Sequence, residues 1–568
     1  MDLQRSLLIG AIAVLSFMLL TQWVVFKEGK SAAVEQSTTR LITNDIDESV
    51  PALPAKDAVA PNAAQEDLPT APESVATEKV APTKTAVNNP RIVQVHTDVL
   101  QLAIDLEGGD IVELSLPKYL AELGNPDKPL VLLESNESLI YISQSGLIGV
   151  DGIDTNGRAS YTSSAARYSL QDGQDSLVIN LEWEGNSDVT VTKRLTLHRG
   201  EYLIDIDYLV VNNSTQRWQA NLFGQIKRES APPPSATDNA MGLQPFLGVA
   251  VTQPDERFTK FTFDDLAEEP FKAQLTGGWI AMIQHYFLSA WIPNPEHINT
   301  FSARVTRSGF NIAGFTSPTL VLDPGKSGEI GARFYAGPKD QNRLREISPY
   351  LDLSVDYGWL WWIAQPLFWL LTKIHSFVGN WGVAIILLTV LIKAAFFKLS
   401  AASYRSMANM RRVQPKMMEI REQFADDKQK QSQAMMELYK KEKINPMGGC
   451  LPILVQMPVF IGLYWMLMES VELRQAPFFL WIKDLSVMDP YFVLPLLMGA
   501  SMYFMQKLNP PPPDPMQAKI MQWMPVMFTF FFLWFPAGLV LYWLVNNLLS
   551  IAQQWVITRQ IERAGSKN

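Results

Sequence analysis

The chain has 568 residues, enough for two or three domains, and 47% of them are hydrophobic. Its one cysteine, Cys450, excludes a disulfide framework and a cysteine-based metal site. The net charge of −9 is unevenly spread: residues 31–90 are acidic, whereas Lys398–Lys443 holds eleven Lys/Arg against six Asp/Glu.

Leu7–Phe26 is an apolar run with no small-x-small cleavage site beside it, so residues 1–28 read as an uncleaved signal anchor. Residues 31–90 contain no aromatic residue and seven prolines. Such a stretch cannot bury enough apolar surface to offset its ordering entropy, and 29–90 reads as a disordered tether.

Over 91–350 the pattern turns to β. Leu177, Ile179, Leu181 and Trp183 alternate with Asn180, Glu182 and Glu184, and Tyr202, Ile204, Ile206 and Tyr208 alternate with Asp205 and Asp207. Period-2 alternation with turn signals such as Gly108-Gly109 predicts a large antiparallel sandwich. Residues 351–380 include four tryptophans and are broken by Pro366. They predict a helix lying in the headgroup layer, the alternative being a further buried span.

Trp381–Leu399 runs nineteen residues with no charge except Lys393 and Lys398. At helical rise it covers roughly 28 Å, nearly one hydrocarbon core, so 381–400 is the second predicted span. Residues 401–450 predict two helices meeting near "FADDKQ". Met407, Met410, Met417, Met418, Met435 and Met436 supply most of the apolar face, and Arg411 and Arg412 lie beside them. A Met-rich face can repack against varied partners, or it can close the hairpin on itself. Leu451–Met468, Tyr491–Gln506 and Ile520–Trp555, the last split at Pro536-Ala537-Gly538, give spans three to six within 451–556. Residues 557–568 are a short tail. The basic loop after Lys398 faces the cytoplasm by the positive-inside rule, which puts both termini there and Ser31–Asn380 on the far side. A cysteine-free exported domain suits a bacterial periplasm.

No catalytic motif emerges. The "GKS" tripeptides at 29–31 and 325–327 have Val24 and Leu320 where a phosphate-binding loop needs glycine. H-E-x-x-H and G-x-S-x-G are absent and the five histidines are scattered. The expectation is no enzyme and no cofactor.

The informative residues are polar and intramembrane. Lys393 has no carboxylate in the spans to pair with, so it must meet water, lipid phosphate or a partner's acid, or else snorkel to the interface. Thr389, Lys393 and Ser400 share a helical face. Trp543, Asn547, Ser550 and Gln554 repeat that spacing in the last span, with Asn546 adjacent, and Gln456 adds an amide to the third. Converging stripes predict a wet cavity, and short, proline-interrupted spans suit a thinned bilayer around it.

"INPMGGCLPILVQMPVF", "SVELRQAPFFLWIKDLS", "DPMQAKIMQWMPV" and "FLWFPAGLVLYWLVNN" closely resemble the YidC/Oxa/Alb family of membrane protein insertases, over the whole chain. The resemblance implies a six-helix membrane protein with a five-helix insertase core, a periplasmic β-sandwich and a cytoplasmic helical hairpin. It implies insertion and folding of newly made inner-membrane proteins, alone or with the Sec translocon, through a hydrophilic groove open to cytoplasm and lipid. Implied partners are nascent inner-membrane proteins, ribosome–nascent chain complexes, the Sec translocon and the phospholipid bilayer, with no direct nucleic-acid contact. The family's groove arginine falls on Lys393, its groove threonine on Thr389 and its aromatic pair on Tyr542 and Trp543. The rest of the expected groove is Gln456, Asn546, Asn547 and Ser550; Met407, Met410, Arg411, Arg412, Met417 and Met435 form the expected hairpin platform.

Two other classes compete. A proton-coupled carrier usually places Asp or Glu in its spans, and none is here. An anchored periplasmic glycan receptor leaves the five-span core unexplained.

Overall fold

The computed structural model describes residues 91–565 and the single residue 69, apart from 126, 137–138, 186–187, 232–244, 254–255, 426, 443–450 and 509–514. The expected anchor, Leu7–Phe26, and tether lie outside the described residues. Two compact units are distinguished. Pro61–Pro510 with Trp523–Asn568 holds the sandwich and the helical core; Met1–Ala60 with Pro511–Gln522 is described only from Pro515.

Among the described residues the sandwich has a ten-stranded and a nine-stranded sheet. Trp218–Arg228 lies between Ile140–Ile148 and Asn311–Leu322 in the larger sheet, and Leu203–Asn212 lies between Val189–His198 and Lys326–Pro338 in the smaller. All pairings are antiparallel except Ile92–His96 with Arg167–Ser169. The alternating stretches place their apolar sides inward. Ile179, Leu181, Ile204, Ile206 and Tyr208 are buried in one core between the sheets, because a one-residue slip would expose every one of them. A charged group is buried there too. Arg158 bridges Asp154 at 2.9 Å and also Asp110, while Lys193 donates to the carbonyls of Gly108 and Ser145.

Two short helices belong to the sandwich, α1 (Phe263–Glu268) and α2 (Gln341–Ile347). Beyond it follow α3 (Trp361–Val378), α4 (Trp381–Ala395), α5 (Phe397–Gln423) and α6 (Lys428–Lys441). The core is completed by α7 (Leu451–Glu469), α8 (Val493–Leu508), α9 (Pro515–Phe531) and α10 (Ala537–Gly565).

The expected continuous span over 381–400 is corrected. The helix stops at Ala395, and the chain bends by 66° at Phe396 into α5. Among the described residues no single helix is long and apolar enough to cross a membrane alone; α4 and α5, a pair bent by 66°, meet that test together by length and composition only. The last helix runs unbroken through Trp555 into the expected tail, to Gly565.

The hairpin resolves its two readings residue by residue. Met417, Val413 and Leu438 are buried in it, with Met410, Ile420, Met435 and Tyr439 packed around them, so these methionines close the hairpin on itself. Met418 and Met436 are exposed, as are Arg411 and Arg412. Glu442 draws the helices together by pairing with Lys416 at 2.7 Å and Arg412 at 3.8 Å.

Sandwich and core meet at the C-terminal end of α7. Lys339 and Glu469, both buried, pair at 2.8 Å. His285 Nε2 donates to the Met468 carbonyl at 2.9 Å. Arg474 and Gln475 donate to the Leu120 carbonyl at 2.7 and 3.0 Å. Burial, with the Lys339 charge adding to it, pushes the His285 pKa down to about 3; burial pushes the Glu472 carboxyl up to about 7.

Candidate functional site: a polar cavity in the helical core

Two helices that start at the same end build the site. At the start of α4, Asn380 caps the first turn by accepting from the Val383 amide at 3.0 Å. At the start of α10, the Ala537 and Gly538 amides donate to the Val487 and Leu485 carbonyls, which satisfies two of the helix's orphan donors. Ile385 and Leu388 of α4 share an apolar core with Leu539, Val540 and Tyr542 of α10, and this registers their polar residues further along.

Those residues enclose a cavity of about 310 Å³. Lys393 is 6% exposed, and its Nζ donates to Ser550 Oγ at 2.8 Å; Ser550 donates on to the Asn546 carbonyl at 2.7 Å. Asn546, Asn547 and Gln554 of α10 and Gln456 of α7 also line the space. Asn547 is held by Ser501 at 3.0 Å. Trp543 lies edge-on to Phe460 at 4.4 Å and Tyr542 stacks near the same ring at 6.0 Å, so the aromatic pair forms one end wall. None of the lining residues is Asp or Glu.

Of the expected groove residues, Lys393, Gln456, Tyr542, Trp543, Asn546, Asn547 and Ser550 come together on the cavity wall. Thr389 does not. It is buried one turn away, and its hydroxyl donates to the Ile385 carbonyl of its own helix at 2.7 Å. A threonine that back-bonds in this way satisfies itself against its helix. Met407, expected on the hairpin platform, lines the cavity instead, with Ser400, Ser403 and Tyr404. The bend at Phe396 carries all four there. Met457, Met502 and Met505 complete an adaptable apolar side that the reading of polar stripes passed over. The Lys393 side chain is turned into the core, where its Nζ is spent on the Ser550 hydroxyl. Among the described residues no group of three His, Cys, Asp or Glu is placed to hold a metal ion.

The described chain thus has two parts, a sandwich and an apolar helical core that keeps a lysine in a polar cavity. The family models divide the chain the same way: the YidC periplasmic domain matches residues 92–370 and the 60Kd inner membrane protein matches 373–564. The membrane protein insertase YidC of Cellvibrio japonicus is 52% identical over 570 residues, covering 100% of both chains. That of Pseudomonas entomophila is 51% identical over 569 residues, again covering 100% of both. A crystal structure of an active YidC insertase, with its first transmembrane domain resolved, aligns at 18% identity over 82% of this chain and 92% of that one, with a TM-score of 0.38. The chain belongs to the YidC family of membrane protein insertases.

Proposed function

We propose that this protein inserts newly made inner-membrane proteins by receiving their short hydrophilic segments in the cavity around Lys393. The supporting observation is a buried ammonium whose partner is a neutral hydroxyl, surrounded by amides and methionines in a space of about 310 Å³ with no acid in its lining. A buried cation with no countercharge is costly, so the arrangement favours an incoming polar or anionic segment that supplies one. Six spans, including Leu7–Phe26, carry the sandwich into the periplasm and leave the basic hairpin and both termini in the cytoplasm.

The client's hydrophilic segment enters from the cytoplasmic side and trades bulk water for amides, hydroxyls and the Lys393 charge. Its apolar helix passes along the exposed faces of the core into lipid. Transfer of a helix of about twenty apolar residues drives release without nucleotide. Met407 and the cavity methionines fit side chains of different shape. Exposed Arg411, Arg412, Met418 and Met436 give the hairpin a surface for clients and ribosome–nascent chain complexes, whether the protein works alone or beside the Sec translocon.

Reconstituting the full-length protein in liposomes with a two-span client synthesised in vitro tests this. The expected result is a protease-protected client fragment that requires the protein and is lost when Arg405–Lys443 is deleted. Equal protection in empty liposomes, or from the deleted protein, defeats the proposal.

A further inference from the structure

The loop between α7 and α8 ends in an unusual tip. Phe479 is 56% exposed and Leu480 is 85% exposed, and Leu480 stands at φ +57°. A branched side chain in the left-handed region is strained, and a turn in water normally gives that place to Gly or Asn. Leucine there is the wrong residue for a water-facing turn and the right one for an apolar medium. The tip is also rigid. Phe478 N donates to the Ile482 carbonyl at 2.9 Å, Ile482 N returns to Phe479, and Leu485 N donates to Ala476.

Its depth is set by the core. Asn380 donates to the carbonyls of Pro477 and Phe478, both at 3.2 Å. The Phe478 ring lies so close to Gly382 that a Cβ there would sit 2.1 Å from it. The tip is therefore clamped to the first turn of α4. On the reading of the function given above, that turn is the outer boundary of the hydrocarbon. The exposed residues beside the tip and at the end of α3 agree: Tyr491, which packs against Trp481, and Phe377 are aromatic, and Lys483 is exposed four residues from Phe479. This is the composition of a headgroup boundary, continuous with the exposed Leu387, Val390 and Leu391 of α4.

We propose that Phe479 and Leu480 insert into the outer leaflet of the phospholipid bilayer as a fixed anchor that holds the outer ends of α4 and α10 at one depth. The loop reaches both helices, since Leu485 and Val487 cap α10 while Pro477 and Phe478 hold Asn380. The inference rests on the membrane placement of the core, and the experiment separates the two.

In a Cys450→Ser background, single cysteines replace Leu480, Leu391 on the lipid-facing side of α4, and Lys326 in an exposed sandwich turn. Each variant of the full chain is labelled with an environment-sensitive fluorophore in phosphatidylethanolamine–phosphatidylglycerol liposomes. Quenching is compared for lipids spin-labelled shallow or deep in the acyl chain and for aqueous iodide. The Leu480→Cys probe should be quenched several-fold more by the shallow lipid label than by iodide. The Lys326→Cys probe should show the reverse, and Leu391→Cys should respond to the deep label. Iodide quenching at position 480 equal to that at 326 overturns the anchor, as does protection from all three quenchers, which means that protein covers the tip. Failure of the Leu391 probe to respond to lipid overturns the membrane placement itself.

Discussion

Replacing Lys393 by methionine keeps an unbranched apolar stem, one heavy atom shorter, and removes the charge. The predicted outcome is a protein that folds at least as well and inserts acidic clients worse. For stability, the loss is one charge-assisted hydrogen bond to Ser550 at 2.8 Å, about 1.5–3 kcal/mol. Against it stands relief from burying an uncompensated ammonium, itself several kcal/mol. The two offset, and the melting temperature in detergent should not fall. For function, a client carboxylate about 4 Å from Nζ gains roughly 4 kcal/mol at an effective dielectric of about 20. Stripping water from that carboxylate cancels most of this gain. A residual of about 1.4 kcal/mol corresponds to a tenfold effect on engagement. Initial rates of protease-protected insertion, measured for a matched pair of clients with acidic and neutral translocated segments, read it directly. Lys393→Met should slow the acidic client about tenfold and the neutral one little. Lys393→Arg should keep both, Lys393→Glu should be worst on the acidic client, and Lys398→Ala should be mild. Equal slowing of the two clients would show that Lys393 acts by shape and not by charge.

Three further outcomes are expected. Lys339→Met leaves Glu469 buried without its cation and should destabilise by about 3–5 kcal/mol, whereas Lys339→Met with Glu469→Leu should cost much less; a double-mutant cycle on thermal unfolding measures the difference. Gly382→Ala should force the Phe478 ring aside and cost about 1–3 kcal/mol, with Phe478→Leu restoring part of the loss in the same unfolding assay. The pH dependence of the interface between sandwich and core combines two opposite effects. His285, lowered to about 3, makes its contribution above about 6.5 and loses it as pH falls toward 3. Glu472, raised to about 7, makes its contribution below about 4.5 and loses it as pH rises toward 7. Between pH 7 and 5 the two changes are each about 2–3 kcal/mol and oppose, so stability should be nearly flat. Glu472→Gln should turn that profile into clear loosening on acidification, followed by hydrogen exchange at the interface; a flat profile in the variant would refute the assignment.

What the sequence made legible follows the range of the interactions involved. The alternation in Ser176–Trp183 is a local property, and Ile179 and Leu181 duly face the core while Val178, Asn180 and Glu182 are exposed. The turn chemistry of Pro536-Ala537-Gly538 is also local, and α10 starts there. Contacts between distant segments left no such trace. Nothing near Lys339 or Glu469 marks them as partners 130 residues apart, and the Asp110–Asp154–Arg158 cluster looks like ordinary surface charge until two sheets close over it.

The cavity shows most clearly where reading of single helices ends. A straight helix through Ser400 puts Thr389, Lys393 and Ser400 on one stripe. The chain instead breaks at Phe396, with neither proline nor glycine there to announce it. Had α4 continued straight, Ser403, Tyr404 and Met407 would have had no reason to face the polar side of α10. The 66° bend brings them onto the cavity wall, while Thr389, on the other side of the break, stays packed against its own helix. Polar periodicity thus identified which helices turn a wet face inward. The bend decides how far along each helix the polar face extends, and beyond it α5 packs against α10. Lys393 sits just before that hinge. Its ammonium is therefore held where the packed bundle gives way to the cavity, which is where the proposed function needs a single uncompensated charge to meet an incoming chain.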